Sequence, residues 1–309
     1  MVLRDNPLID LFVQNELIDT NNLKLYHSGT RDNDIINVLI DRESGCLILD
    51  KCLDNLNKYY FENKNYSEDG HFTLIDQKYI ETHPLEDDFL RYEIYKKSIY
   101  NSSILDFGCG KGGFLSLLKE NNISNNLIGL ELNEVNNKNI NAKGIPCLFD
   151  LKNSNSKFDF IFLNHVFEHL PNPLELLNDL ITRLNPDGKL IIEVPHGNDF
   201  LIKKSGLDSF KKFTFWSEHL CLYTEEIIKN IFKKMSISDY YVSYKQRYNL
   251  NNHVNWFKKG EPGGHKKTIY SGSILNAYNN YLVSNKETDT LIIVIGRGST
   301  EFSKNIFRN

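Results

Sequence analysis

No C-x-x-C pair occurs among the five cysteines (Cys46, Cys52, Cys109, Cys147, Cys221), so neither a zinc ribbon nor a disulfide framework is implied. Isolated thiols fit a reducing compartment, and the cytoplasm is the expected location. No apolar run approaches the roughly 18 residues needed to span a bilayer. Met1-Val-Leu-Arg-Asp-Asn6 lacks the basic region and apolar stretch of a secretory signal. Positive charge is not in excess: 36 Lys and Arg stand against 40 Asp and Glu, for a net −4. Bulk charge therefore implies no nucleic-acid face. Internal repeats and low-complexity tracts are also missing. What remains is an ordinary soluble composition, 40% hydrophobic and 25% charged, in 309 residues. That length holds one large domain or a core with appendages.

The most informative stretch is Ile104-Leu-Asp-Phe-Gly-Cys-Gly-Lys-Gly-Gly-Phe-Leu-Ser-Leu-Leu-Lys-Glu120. Ile104, Leu105 and Phe107 read as a buried strand, and Phe114, Leu115, Leu117 and Leu118 recur at helical spacing. The glycines between them permit positive φ and close approach of a ligand to the backbone. A turn of this kind aims backbone N–H groups and a helix N-terminus at whatever binds above it. Gly108-x-Gly110-x-x-Gly113 satisfies the dinucleotide fingerprint, which leaves an NAD-dependent oxidoreductase open. Asp106 shifts the balance. A carboxylate at the strand tip suits a cationic amine, such as that of S-adenosylmethionine (SAM), and repels a pyrophosphate.

Further on, strands and helices alternate, which predicts a parallel sheet covered on both faces. Leu127-Ile-Gly-Leu-Glu-Leu-Asn133 reads as a second strand ending in Glu131, placed to take hydrogen bonds from ribose hydroxyls. Ile145–Asp150 is a short third strand, and Asp150 is either an adenine contact or a helix cap. Phe158-Asp-Phe-Ile-Phe-Leu-Asn-His-Val-Phe-Glu-His-Leu-Pro-Asn-Pro173 is a fourth strand running into a helix that starts at Pro173. Asn185-Pro-Asp-Gly188 reads as a turn before a fifth strand, Lys189–Pro195. A helix over Glu225–Phe232, a sixth strand over Ile237–Tyr244 and a seventh, antiparallel strand over Thr290–Ile295 complete the series.

Asp106-Phe-Gly-Cys-Gly-Lys-Gly and the Phe158–Pro173 segment resemble the first and fourth motifs of the class I SAM-dependent methyltransferases. Trp216-Ser-Glu-His-Leu-Cys-Leu-Tyr-Thr224 resembles a Glu-His-Leu segment of the sugar, or nucleotide-sugar, methyltransferases. The resemblance implies an α/β fold with a Rossmann-like seven-stranded sheet. It implies SAM as cofactor, with S-adenosylhomocysteine (SAH) as product, held by Asp106, Phe107, Gly108, Cys109, Gly110, Gly113, Glu131, Leu132, Asp150, Asn164 and His165. It also implies His219 as general base, with Glu218 and His169 assisting. The acceptor so implied is a small molecule, a sugar or nucleotide-linked sugar hydroxyl of cell-surface glycan biosynthesis. Sugar C-methylation, O-methylation of a quinone or lipid, and SAM binding without transfer are the alternatives.

The expected organisation is an appendage over 1–100, a SAM-binding core over 101–245, an acceptor lid over 246–289, and the last strand with a tail over 290–309. Within the appendage, Ile35–Ile40 and Cys46–Leu49 read as a β-hairpin. Its placement resembles the zinc module of sugar C-methyltransferases, but the paired cysteines are missing and Cys46 and Cys52 cannot make a four-ligand site. Pro84–Tyr100 reads as a lead-in helix. The insertion carries Arg247, Tyr248, Asn252, His253, Trp256 and His265, a mixture suited to an acceptor lid. Arg247 is a candidate partner for an acceptor phosphate. His165 and His196 are expected to line the pocket. No catalytic metal is expected, because the tip of strand four offers Asn164 and His165 without an Asp pair.

Overall fold

Parallel strands buried on both faces read as near-continuous apolar runs, and Phe158-Asp-Phe-Ile-Phe-Leu-Asn164 is such a run. In the computed structural model, which describes residues 3–54, 84–152, 154–264 and 269–296, this segment is the central strand of a seven-stranded sheet. The elements in chain order are β1 (Leu3–Asp5), α1 (Pro7–Gln14), β2 (Leu23–His27), β3 (Val38–Asp41), β4 (Leu47–Leu49) and β5 (Lys51–Leu53). Then come α2 (Glu86–Tyr95), β6 (Ile104–Phe107), α3 (Gly113–Glu120), β7 (Leu127–Leu130), α4 (Glu134–Ala142), β8 (Cys147–Leu148), β9 (Phe158–Asn164), α5 (Pro173–Thr182) and β10 (Leu184–Pro195). The last are α6 (Phe200–Lys203), α7 (Asp208–Thr214), β11 (Cys221–Leu222), α8 (Glu225–Lys234), β12 (Tyr240–Lys245), α9 (Leu250–Lys259), α10 (Gly272–Asn285) and β13 (Thr290–Gly296).

The large sheet runs β12-β13-β10-β9-β6-β7-β8. β13 lies antiparallel to both neighbours, and the other pairings are parallel. The chain steps outward from β6 through β7 to β8, then returns to place β9 on the other side of β6. That reversal opens a crevice at the carboxyl ends of β6 and β9, where ligands bind in open α/β sheets. Helix ends follow local chemistry. Thr224 accepts a hydrogen bond from the N–H of Ile227. Glu225 and Glu226 lie in the first turn of α8 and Lys233 and Lys234 in its last, matching the helix dipole. Asn185–Gly188 differs from the expected turn: these residues continue β10, and a register shift against β9 between Leu184 and Lys189 absorbs them.

Alternation along the strands divides the core in two. Phe160, Phe162, Ile191 and Val294 pack with Tyr95, Phe114 and Leu118 from α2 and α3. Ile161, Leu163, Ile192 and Ile293 pack with Leu177 and Leu180 of α5 and with Ile227 and Ile231 of α8. Leu8, Phe12, Val38 and Leu47 from the N-terminal elements belong to this second cluster. The expected hairpin is β3–β4, and it sits in a four-stranded sheet ordered β11-β4-β3-β2. Its edge partner β11 comes from the segment after the fifth core strand. The N-terminal elements are thus packed into the core on one face of the large sheet. His265 and residues 297–309 lie outside the described residues.

Candidate active site

The crevice over β6 and β9 opens into a cavity of about 1450 Å³. Its first half is the glycine turn. Gly110 has φ +54° and faces open space, and its N–H donates to Glu131 Oε2 at 2.8 Å. The other Glu131 oxygen accepts from the N–H of Asn133 at 2.7 Å. Gly113 is required for a different reason: a Cβ there would come within 2.1 Å of Asp88 Oδ2 on α2, so helix α2 closes directly on the turn. Asp106 is buried at the tip of β6, where Asn164 Nδ2 on β9 donates to its Oδ1 at 3.2 Å. Burial raises the Asp106 pKa to about 7, as expected for a carboxylate held away from water.

Of the expected cofactor contacts, Asp106, Phe107, Gly108, Cys109, Gly110, Gly113, Glu131, Leu132, Asp150, Asn164 and His165 all line this cavity. Asp150 is exposed, and its Oδ1 accepts from the Lys152 N–H at 2.9 Å. The set fits a nucleoside bearing a cationic amine. It combines a buried carboxylate, a carboxylate held by backbone N–H groups, and apolar flanks from Leu132 and Leu151.

The second half is polar and charged. Asp87 and Arg91 of α2 line it together with His165, His169, His219 and Arg247. Arg91 Nη2 donates to Glu193 Oε1 at 2.9 Å, and Lys245 Nζ lies 3.4 Å from the second oxygen. Burial alone would raise the Glu193 pKa, but these cations hold it well below the usual carboxylate range. Arg247 pairs with both Asp87 carboxylate oxygens through the Nε and Nη2 edge of its guanidinium, and its Nη1 donates to His165 Nε2 at 2.9 Å. The expected phosphate contact of Arg247 thus already has an anionic occupant. Among the described residues of 246–289, Arg247 lines the cavity. The helices of the insertion pack elsewhere, Trp256 against Phe210 and Phe213, and His253 against Phe200 and Tyr278.

His169 and His219 meet edge to face with ring centroids 4.9 Å apart. His169 Nδ1 donates to the Glu218 carbonyl at 3.0 Å, which turns Nε2 toward Glu168, 3.9 Å from its Oε1. Glu168 is fully buried, and its Oε1 lies 3.2 Å from His165 Nδ1. Burial would raise its pKa, but the His165 hydrogen bond and the neighbouring imidazoles outweigh this and hold it at about 2. Burial, reinforced by His169, lowers the His219 pKa to about 3. Two expectations change here. The Glu218 side chain is buried and does not line the cavity. Its contribution is the carbonyl that orients His169, while Glu168 supplies the carboxylate beside the imidazoles. His196 is buried away from the cavity, bonded through Nδ1 to the Thr288 carbonyl at 2.9 Å.

The His219 wall is held from the N-terminal elements. Asp32 accepts from the backbone N–H of Ser217 at 3.0 Å and from its hydroxyl. The Arg31 guanidinium lies 4.3 Å from the Trp216 ring centre, a cation–π contact. Asp87, Asp88, Arg91 and Glu193 were not singled out from the sequence. Their charges look like the solvated face of a helix and a strand end, and no spacing reveals that this face turns inward.

The family model described as "Methyltransferase domain" matches residues 77–235, just over half of the chain. Among curated proteins, the tRNA U34 carboxymethyltransferase of Nautilia profundicola is 27% identical over 198 residues, covering 59% of this chain and 58% of that one. An uncharacterized protein of Methanocaldococcus jannaschii is 32% identical over 111 residues, covering 36% and 48%. The chain thus spans less than two thirds of the length of these curated relatives. A SAM-dependent methyltransferase of Archaeoglobus fulgidus has a similar solved structure, with TM-score 0.46, 21% identity and coverage of 68% and 91%. The plantazolicin methyltransferase BpumL, solved with SAH and a triazolic analogue, gives TM-score 0.48, 19% identity and coverage of 79% and 95%. By its family match the chain belongs to the methyltransferase domain family.

Proposed function

We propose that the protein methylates a hydroxyl of a sugar or nucleotide-linked sugar, a class of acceptor used in cell-surface glycan assembly. The observation that carries this reading is the far half of the cavity. Asp87, Arg91, His165, His169, His219 and Arg247 give it charged and hydrogen-bonding walls, and Trp216 adds one aromatic face. A polyhydroxylated acceptor can offer such walls hydrogen bonds, whereas a quinone or lipid tail would desolvate their charged groups and offer none in return. Five unbridged cysteines suit a cytoplasmic setting.

SAM, when bound, supplies a methyl group already activated on a sulfonium sulfur. Asp106 and the Gly108–Gly110 turn would hold its amino-acid end, Glu131 would take the ribose hydroxyls, and Leu132 and Asp150 would contact the base. The remaining task of the chain is alignment and proton removal. His219, in ring contact with His169, would take the proton of the acceptor hydroxyl, whose oxygen would displace SAH from the methyl group as the S–C bond breaks. Glu218 positions His169 through its carbonyl.

The test is methyl transfer from labelled SAM to a panel of nucleotide sugars, tRNA transcripts and quinols, read by mass spectrometry. Methylated nucleotide sugar with silence from the other two classes is the expected result. Methylated tRNA or quinol alone would overturn the acceptor assignment.

A further inference from the structure

Glu168, His169 and His219 come from two segments, the loop after β9 and the loop before β11, and each offers one ligand atom within 4.8 Å of the others. Three features distinguish this group from a chance cluster. Glu168 is fully buried, yet no hydrogen-bond donor among the described residues reaches its Oε2. A buried, ionised oxygen without a donor is costly unless a cation completes it. His169 donates its Nδ1–H to a backbone carbonyl, the arrangement that fixes a metal-binding imidazole with Nε2 as ligand. The Glu168 carboxylate is itself oriented by His165.

From this geometry we infer that Glu168, His169 and His219 form a binding site for a divalent transition-metal ion of the zinc type. Two imidazoles and a carboxylate suit such an ion better than magnesium or calcium, which prefer oxygen ligands. Bonds of about 2.0–2.2 Å place tetrahedral ligands about 3.4 Å apart, so the cluster closes on the ion by small turns of the two rings. Three protein ligands leave a fourth position open toward the cavity. An ion held there engages the ring lone pair that proton removal by His219 requires. The inference rests on the acceptor-side reading in this one consequence: metal occupancy and base action at His219 exclude each other.

The experiment is calorimetric and spectroscopic titration of the full chain with Zn²⁺ and Co²⁺, alongside SAH titration, on wild type, His219→Ala and Glu168→Gln. About one ion per chain should bind, with visible bands of nitrogen- and oxygen-ligated Co²⁺. Each substitution should weaken binding at least tenfold, with SAH binding within about twofold of wild type for His219→Ala. That partly exposed ring keeps the test decisive if Glu168→Gln fails to fold. Wild type that binds SAH and no metal, metal affinity indifferent to His219→Ala, or cobalt–thiolate bands assigning the ion to cysteines would each overturn the inference. Metal binding without SAH binding would leave this site standing and overturn the cofactor reading, so the two failures are distinguishable.

Discussion

Asp106 shows how one side chain links burial to function. Its pKa of about 7 in the free protein means that near neutrality it carries its proton about half the time. A cationic amine requires the ionised form, so SAH should bind about tenfold more weakly at pH 6 than at pH 8 by proton linkage. Calorimetry across that range, with Asp106→Asn expected to be weaker and nearly flat, checks it. His219 sits on the other half of the cavity. His219→Gln should lower methyl transfer by about 10²- to 10⁴-fold, the usual scale for a general base, while SAH affinity stays within about twofold. Once the acceptor is identified, single-turnover rates separate the two effects. Both residues were legible in the sequence because they lie in contiguous motifs, Asp106 before the glycines and His219 within Trp216–Thr224. Arg91 and Asp87 were not legible, since their role depends on which way α2 faces.

Elements carry the next level of control. Helix α2 closes one wall of the cavity only because Gly113 has no side chain to meet Asp88. Gly113→Ala should cost about 1–3 kcal/mol as an overpacking change, read as a fall in denaturant midpoint. Part of this should return in Gly113→Ala/Asp88→Ala. The loop carrying Arg31 and Asp32 acts from the opposite side, gripping Trp216 and Ser217. Asp32→Ala removes two charge-assisted hydrogen bonds from Ser217 and one from the Thr30 hydroxyl, each worth about 1.5–3 kcal/mol when formed to a charged group. Its expected signature is slowed transfer with SAH affinity kept, because the glycine turn is remote from this anchor. The β3–β4 hairpin was readable from Ile35–Leu49, but its pairing with β11 was not. A strand of two residues, Cys221–Leu222, has no periodicity to detect.

The whole molecule must also keep buried imidazoles neutral. His196 and His253 both have pKa values lowered to about 4 by burial. An unfolded chain takes up those protons near pH 6.5. Between pH 6.5 and 4 the unfolded state therefore binds more protons, and stability falls as pH falls through that window. His196→Asn removes one such contribution, so its melting temperature should change less unfavourably than that of wild type on going from pH 7 to pH 5, as thermal denaturation of the two proteins at both pH values would show. Above pH 7 these two residues contribute no further change.

The sequence by itself determined the order of strands and helices, the glycine turn, its carboxylate and the donor they hold. These follow from apolar periodicity and from motifs a few residues long, which local chemistry dictates. Tertiary structure alone decided the acceptor end. Glu168 and His219 are 51 positions apart in the chain, Asp87 and Arg247 are 160 apart, and Asp32 and Ser217 are 185 apart. Such pairs leave no local signature, because folding alone sets their burial and mutual distance, and with them their charge states.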